Sequence, residues 1–209
     1  MNDLSRQHHW EKVYTTRGES EVSWFQETPA LSLELIALVG AMQDSAIIDI
    51  GGGASRLVDH LVSRGFQDLT VLDLSAAALA SARSRIGAKA DRVTWITADV
   101  TLWQPSRSYD ICHDRAAFHF LTERNDQAAY IARLRRALRV GGHAIIATFA
   151  PDGPERCSGL MVSRYDADSL AAQLGAGFEL IDTRWHEHTT PWGSVQKFQF
   201  STFRRTADV

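Results

Sequence analysis

The stretch Ala46-Ile47-Ile48-Asp49-Ile50 runs straight into Gly51-Gly52-Gly53, and no other segment constrains the fold as strongly. A short apolar run of this kind has the length of a buried strand. Glycines directly behind it allow a tight turn and let the N–H groups of a following helix approach a ligand. Ala54, Leu57, Val58, Leu61 and Val62 then recur at helical spacing, and Gly65 stands where that helix would end. The alternation repeats. Residues 69–72, 93–97, 109–113 and 143–149 read as strands. Ser75 is an N-cap for a helix through Ile86, and a long helix is expected over about 123–140, stopped by Gly141-Gly142. Strands alternating with helices predict a parallel sheet covered on both faces.

The ends of the chain depart from this rhythm. Residues 166–174 read as a helix, and 178–185 and 195–203 as strands. Their connection, 186–194, contains Pro191 and Gly193 and is too short for a crossover helix, so an antiparallel hairpin is expected. Ahead of the first strand, Leu31, Leu35, Leu38 and Val39 predict an amphipathic helix. Residues 1–28 are polar yet carry Trp10, Tyr14, Trp24 and Phe25, which reads as a lid arm placed before a domain spanning 29–209. Hydrophobic packing of a terminal arm explains these aromatics equally well.

With 209 residues, one such domain has a full core. No apolar run reaches the roughly 18 residues of a membrane helix, and the first residues lack the apolar stretch of a secretory signal. A cytoplasmic protein without a membrane partner is the expectation. A net charge of −3 argues against nucleic acid. Arg133, Arg135, Arg136 and Arg139 are the one basic cluster, and they suit the C-terminal end of a helix. Cys112 and Cys157 form no metal or redox pair, and no metal site is expected.

Four aspartates fall at or near expected strand ends, where open α/β sheets bind ligands. They are Asp49, Asp73, Asp99 and Asp114. A nicotinamide or flavin fingerprint would need G-x-G-x-x-G, but counting from Gly51 the third position is Arg56. A carboxylate at Asp49 would repel a pyrophosphate and favour an ammonium or sulfonium. The loop therefore suits a cationic ligand without phosphate. Asp73 lies 20 residues beyond Gly53 (73 − 53), where an acid accepts from both hydroxyls of a ribose. Asp99, at the next strand end, can accept from the amine of adenine.

Asp49-x-Gly51-x-Gly53-x-Ser55 resembles motif I of the class I S-adenosylmethionine-dependent methyltransferases. Asp73 is similar to that family's ribose-binding acid, and Asp99-Val100 to its adenine-binding segment. Residues 110–121 resemble its motif IV region, and the terminal hairpin its sixth and seventh strands. The resemblance covers about residues 28 to 204. It implies a Rossmann-like seven-stranded, mostly parallel sheet with an antiparallel last strand and helices on both faces. It further implies S-adenosyl-L-methionine as cofactor, with Asp49 and Gly51 against its methionine part. The cofactor set is then Asp49, Gly51, Gly52, Gly53, Ser55, Asp73, Leu74, Asp99, Val100 and Asp114, with Trp10 and Trp24 from the arm. Ser55 stands where many relatives have glycine.

On the acceptor side, Asp114-Arg115-Ala116-Ala117 resembles two segments at once. One is the Asp-Arg-Gly-Ala of thiopurine and thiol methyltransferases. The other is the Asp-Lys-Gly-Thr of elongation-factor and citrate synthase lysine methyltransferases. Ala116 replaces glycine in both, so neither substrate carries over. His119, His113 and Asp114 are the candidate catalytic groups, the histidines because neutral imidazole removes protons near pH 7. The expected activity is methyl transfer to sulfur, oxygen or nitrogen of a small molecule. The alternative is a protein lysine methyltransferase with the same cofactor site.

Overall fold

The computed structural model describes residues 3–207. Helix α1 (Asp3–Thr16) and a 3-10 turn (Glu19–Glu21) precede α2 (Ala30–Leu38). Then follow β1 (Ala46–Ile50), α3 (Leu57–Ser63), β2 (Asp68–Asp73), α4 (Ala76–Ile86), β3 (Val93–Thr97) and β4 (Tyr109–Arg115). The second half holds α5 (Arg124–Ala137), β5 (Leu138–Phe149), a miniature hairpin of β6 (Arg156–Cys157) and β7 (Leu160–Met161), α6 (Ala167–Leu174), β8 (Phe178–Thr189) and β9 (Val195–Arg205). The main sheet is seven-stranded in the order β3-β2-β1-β4-β5-β9-β8. β1 pairs in parallel with β2 and β4, whereas β9 runs antiparallel to both β5 and β8. No helix among the described residues is long and apolar enough to cross a membrane.

Alternation along the strands divides the core. Ile47, Val71, Ile111 and Ile145 face one side and pack with Leu35, Ile36, Leu57 and Leu61. Ile48, Ile50, Cys112 and Ile146 face the other and pack with Tyr130, Leu134, Leu170 and Leu174. All five residues of β1 are buried, as expected of a central parallel strand covered on both faces. Ser75 caps α4 by accepting from the Ala78 N–H at 3.1 Å, and Asp166 caps α6 through Ser169 N at 2.8 Å.

Several boundaries differ from the sequence expectation, each for a tertiary reason. α5 ends at Ala137 because Leu138 pairs with Tyr109, so Gly141-Gly142 lie inside β5 beside a register shift rather than behind the helix. A Cβ at Gly142 would come 2.8 Å from the Asp110 carbonyl, which explains the glycine there. α3 starts at Leu57, since residues 51–56 are held in the loop that shapes the site. In α2 the buried apolar residues are Leu33, Leu35 and Ile36, while Leu38 is 55% exposed. The basic residues at the end of α5 make local contacts: Arg135 donates to Ala176 O at 2.6 Å, and Arg139 pairs with Asp110.

The fold also explains Asp114, on the last turn of β4. It is buried, and its carboxylate accepts from the Ala117 N–H at 2.8 Å, the Phe118 N–H at 3.1 Å and the Tyr130 hydroxyl at 2.6 Å. Burial pushes its carboxyl up to about 6, against these donors. Tyr130→Phe removes one donor from a charged acceptor, a loss of about 1.5–3 kcal/mol. We expect that destabilisation in denaturant unfolding at pH 8, and a smaller one at pH 5, where Asp114 is protonated. Equal losses at both pH values would show that Asp114 is not ionised in the fold.

Candidate active site

The turn after β1 is built on one carbonyl. Leu72 O, near the end of β2, accepts from Gly51 N at 2.7 Å and Gly52 N at 3.3 Å. Gly51 has φ +70°, and a Cβ on it would lie 2.5 Å from Ala117 Cβ, so the loop after β4 closes directly on the turn. A Cβ on Gly52 would lie 2.5 Å from Asp49 Oδ2. Gly53 backs onto Asp73 and Tyr14. The carboxyl ends of β1, β2, β3 and β4 thus meet at one edge.

A cleft enclosing about 870 Å³, open to solvent, runs along that edge. Asp73, Leu74, Ala98, Asp99 and Val100 line one end. Arg115, Phe120, Cys157, Gln196 and Phe198 line the other. Trp10 and Tyr14 of α1, with Trp24, cover it. Trp10 meets Phe120 edge to face with ring centroids 4.8 Å apart, and Trp24 at 5.7 Å. The covering helix is tied down at polar points. Arg6 pairs with Asp126 at 2.5 Å and lies 3.1 Å from Asp99 Oδ2. Glu11 accepts from the Ser75 hydroxyl at 2.7 Å and from Ala77 N at 3.2 Å, at the start of α4.

The electrostatics favour a ligand with a positive centre. Asp73 is buried, and its Oδ1 accepts from Ser75 N at 2.8 Å, but no cation pairs with it among the described residues. Burial, then the nearby Asp49 and Glu11, push its carboxyl up to about 7. Asp99 Oδ1 accepts from Thr101 N and Oγ1 at 2.8 and 2.6 Å. A glycine cradle, two acids at the ends of β2 and β3 and an apolar wall suit an adenosyl group joined to a cation. They do not suit a pyrophosphate, which these acids would repel.

The expected site residues divide into two groups. Gly51, Asp73, Leu74, Asp99, Val100, Trp10 and Trp24 line the cleft. Asp49, Gly52, Gly53, Ser55, Asp114, His113 and His119 are not among its lining residues. Asp49 lies beneath the turn, with Oδ1 2.7 Å from His113 Nδ1, and His113 Nε2 lies 2.9 Å from the Ser32 hydroxyl. This buried chain braces β1 and β4 against α2. Ser55 Oγ accepts from Leu57 N at 3.2 Å, and Ser55 lines a smaller recess with Phe25 and Arg56. Asp114 holds the turn at residues 117–118. His119 is fully buried, packs on Phe149 at 4.8 Å, and its Nδ1 accepts from Phe149 N at 3.4 Å. Burial pulls its imidazole down to about 3. The expectation that these three groups do acid–base chemistry therefore meets a structure in which none of them reaches the cleft. Sequence reasoning missed Arg6, Phe120, Gln196 and Phe198. Only the alternation Gln196, Phe198, Phe200 along β9 hinted that one face of that strand points inward.

The fold and cleft define an α/β domain whose strand carboxyl ends form a site suited to an adenosyl ligand. Residues 47–142 match the family model described as a methyltransferase domain. The chain is 26% identical over 153 residues to a malonyl-[acyl-carrier protein] O-methyltransferase of Paenibacillus sp. (strain JDR-2), covering 71% of this chain and 54% of that protein. It is 23% identical over 151 residues to a Bos taurus eEF1A lysine and N-terminal methyltransferase, covering 68% of this chain and 21% of that one. The chain thus spans about half of the first relative and a fifth of the second. Its fold matches a solved Burkholderia thailandensis 1,6-didemethyltoxoflavin-N1-methyltransferase bound to S-adenosylhomocysteine, with a TM-score of 0.68 and 22% identity, covering 98% of this chain and 85% of that one. Residues 47–142 thus resemble a methyltransferase domain, a likeness that implies S-adenosyl-L-methionine as the ligand of the cleft.

Because folding raises the Asp73 carboxyl, the folded protein holds a proton that the unfolded chain has released between about pH 4 and pH 7. The group's contribution to stability therefore falls as pH rises through that window and is lowest above pH 7. Asp73→Asn should raise the melting temperature at pH 8 and change it little at pH 4. The same variant should weaken S-adenosylhomocysteine binding at pH 8 at least roughly tenfold, the scale of one hydrogen bond to a charged group. Calorimetry showing unchanged affinity would remove Asp73 from the site.

Proposed function

We propose that this chain transfers the methyl group of S-adenosylmethionine to a sulfur, oxygen or nitrogen nucleophile on a small molecule, with residues 1–28 acting as a lid. The observation that carries this reading is the aromatic cover. Trp10, Tyr14 and Trp24 meet ring to ring along the cleft, whose other end is lined by Phe120 and Phe198. Such a cleft fits a small acceptor and keeps water from the reacting atoms. When bound, the cofactor supplies an electrophilic methyl group on a sulfonium. Displacement at that carbon demands alignment more than covalent help from the protein.

The roles of the chain's own residues follow from their positions. Asp73 would hold the ribose hydroxyls, and Asp99 would accept from the adenine amine. Leu74 and Val100 flank the base. Asp49, braced by His113, contributes negative potential near the methionine amine from beneath Gly52, while the peptide groups of Gly51 to Gly53 form the floor. Ser55 and Asp114 act one step back, by holding the loops after β1 and β4. No histidine lines the cleft among the described residues. The reaction is best served by a nucleophile that is already deprotonated or that gives its proton to water, with catalysis resting on positioning and exclusion of solvent. The Cys157 thiol, pushed up to about 11 by burial, is protonated at neutral pH and supplies no base.

A protein lysine acceptor is the second reading, favoured by the likeness to the eEF1A methyltransferase. It requires the aromatic cover to open for a side chain to enter. A methyl-transfer screen with labelled cofactor separates the two: label passing to small thiols, acids or amines supports the first, and label passing only to protein supports the second.

S-adenosylhomocysteine should raise the melting temperature, by the equivalent of roughly 2.7 kcal/mol at 100 times its dissociation constant, and NAD should not. A shift with NAD alone would overturn the reading. Trp10→Ala should cut turnover at least about tenfold while moving the melting temperature by only a few degrees, because it removes cover over the reacting atoms and little of the buried core. Full activity in that variant would reduce the arm to packing.

A further inference from the structure

We propose that the acceptor is a planar acid: its anionic group pairs with Arg115, and a neighbouring N–H, O–H or S–H donates to Gln196. The proposal rests on the small-molecule reading above and names the class of molecule it takes.

Arg115 ends β4 at the floor of the cleft, partly buried among Tyr14, Trp24 and Cys157. Its Nη1 donates to the Trp24 carbonyl at 3.0 Å, and no carboxylate pairs with it among the described residues. Charges withdrawn from water are normally paired, and a guanidinium has five N–H donors to satisfy. Burial accordingly weakens its hold on the proton, only partly opposed by Asp49. Three other arginines withdrawn from water are matched with acids: Arg6 with Asp99 and Asp126, Arg56 with Glu19 and Glu27, Arg85 with Asp59 and Glu19. Arg115 differs from them in lining the cleft without an acid partner, and a guanidinium can take an anion in bidentate fashion.

A second, independent group points the same way. Gln196, on β9, is 9% exposed and lines the cleft, yet its Oε1 has no hydrogen-bond partner. A buried acceptor left unmade costs stability until a donor arrives. Cation and orphaned acceptor belong to the β4–β9 side of the cleft, while Asp73 and Asp99 belong to the β2–β3 side across β1. The rings of Trp10, Trp24, Phe120 and Phe198 line the same cleft. Flat aromatic walls, one cation and one acceptor together describe an aromatic or heteroaromatic acid with a protic substituent next to the acid group. Carboxylate chemistry at Arg115 has one other source, the methionine end of the cofactor, and the test must separate the two.

The test is calorimetric binding to protein saturated with S-adenosylhomocysteine, using 2-hydroxy-, 2-amino- and 2-mercaptobenzoate, each against its carboxamide. The proposal predicts that at least one acid binds tenfold or more tightly than its amide. Arg115→Gln should erase that preference while changing affinity for S-adenosylhomocysteine by less than threefold, and Arg115→Lys should keep part of it. The melting temperature checks that each variant folds, and the lysine variant decides the matter where the glutamine variant does not. Three outcomes overturn the proposal: no acid bound at millimolar concentration, acids and amides bound equally, or a tenfold loss of S-adenosylhomocysteine affinity in Arg115→Gln with acid binding intact. The last would give Arg115 to the cofactor's carboxylate. Failure of the unaltered protein to bind S-adenosylhomocysteine at all would instead overturn the methyltransferase reading itself.

Discussion

The Leu72 carbonyl, accepting from the N–H groups of Gly51 and Gly52, joins the end of β2 to the turn that follows β1. The turn sits so close to its neighbours that side chains have no room: Ala117 touches it from the β4 loop, and Asp49 fills the space under Gly52. Those contacts bring three strand ends within reach of one ligand. They also force the chain to bury acids. Asp49, Asp73 and Asp114 all lie at this edge with almost no exposure. Each is stabilised differently, by His113, by the backbone N–H of Ser75, and by Tyr130 with two N–H groups. Only Asp73 is left lining the cleft without a cation or a set of local donors sufficient to offset its burial. The fold thereby stores, at a single place, an affinity for hydrogen-bond donors attached to a positively charged molecule.

The cover over this edge depends on polar anchors more than on apolar burial. α1 has little apolar surface, but Arg6 and Glu11 fix its two faces to Asp99, Asp126 and the start of α4. The segment after it is held by Glu19 to Arg56 and Arg85, and by the Ser23 carbonyl to His188 Nε2 at 2.6 Å. The Glu19 pairs are partly exposed and weak singly, whereas the Arg6–Asp99 pair is buried and holds α1 to the end of β3 more firmly.

Much of the architecture was legible because the central strands are buried on both faces and two of the helices start at Ser75 and Asp166. The runs at 46–50, 93–97 and 109–113, the cap at Ser75 and the final hairpin all express local chemistry. Boundaries failed where pairing overrode propensity: Leu138 leaves its helix for Tyr109, and Gly141-Gly142 serve β5. The acids at strand ends were visible, but their division of labour was not. Asp73 and Asp114 look alike in sequence, each at a strand end before a turn. Only the fold places Tyr130 beside one of them. Likewise His113 and His119 read as bases because residue type is visible in a sequence and burial is not. Ala116 shows the limit from the other side. It adopts φ +71°, the conformation that glycine takes without strain, so its replacement of glycine leaves the turn intact and hides the reason for it. Arg115 and Gln196, 81 residues apart (196 − 115), carry no signal of lining one cleft until β9 folds back beside β5.

The account stands or falls on where the adenosyl group sits. A crystal structure of the protein with S-adenosylhomocysteine measures that directly. The account predicts the ribose hydroxyls on Asp73, the adenine between Leu74 and Val100 with its amine toward Asp99, and the sulfur under Trp10 facing the Arg115 end of the cleft. An adenosyl group bound elsewhere, or one whose ribose makes no contact with Asp73, would contradict it.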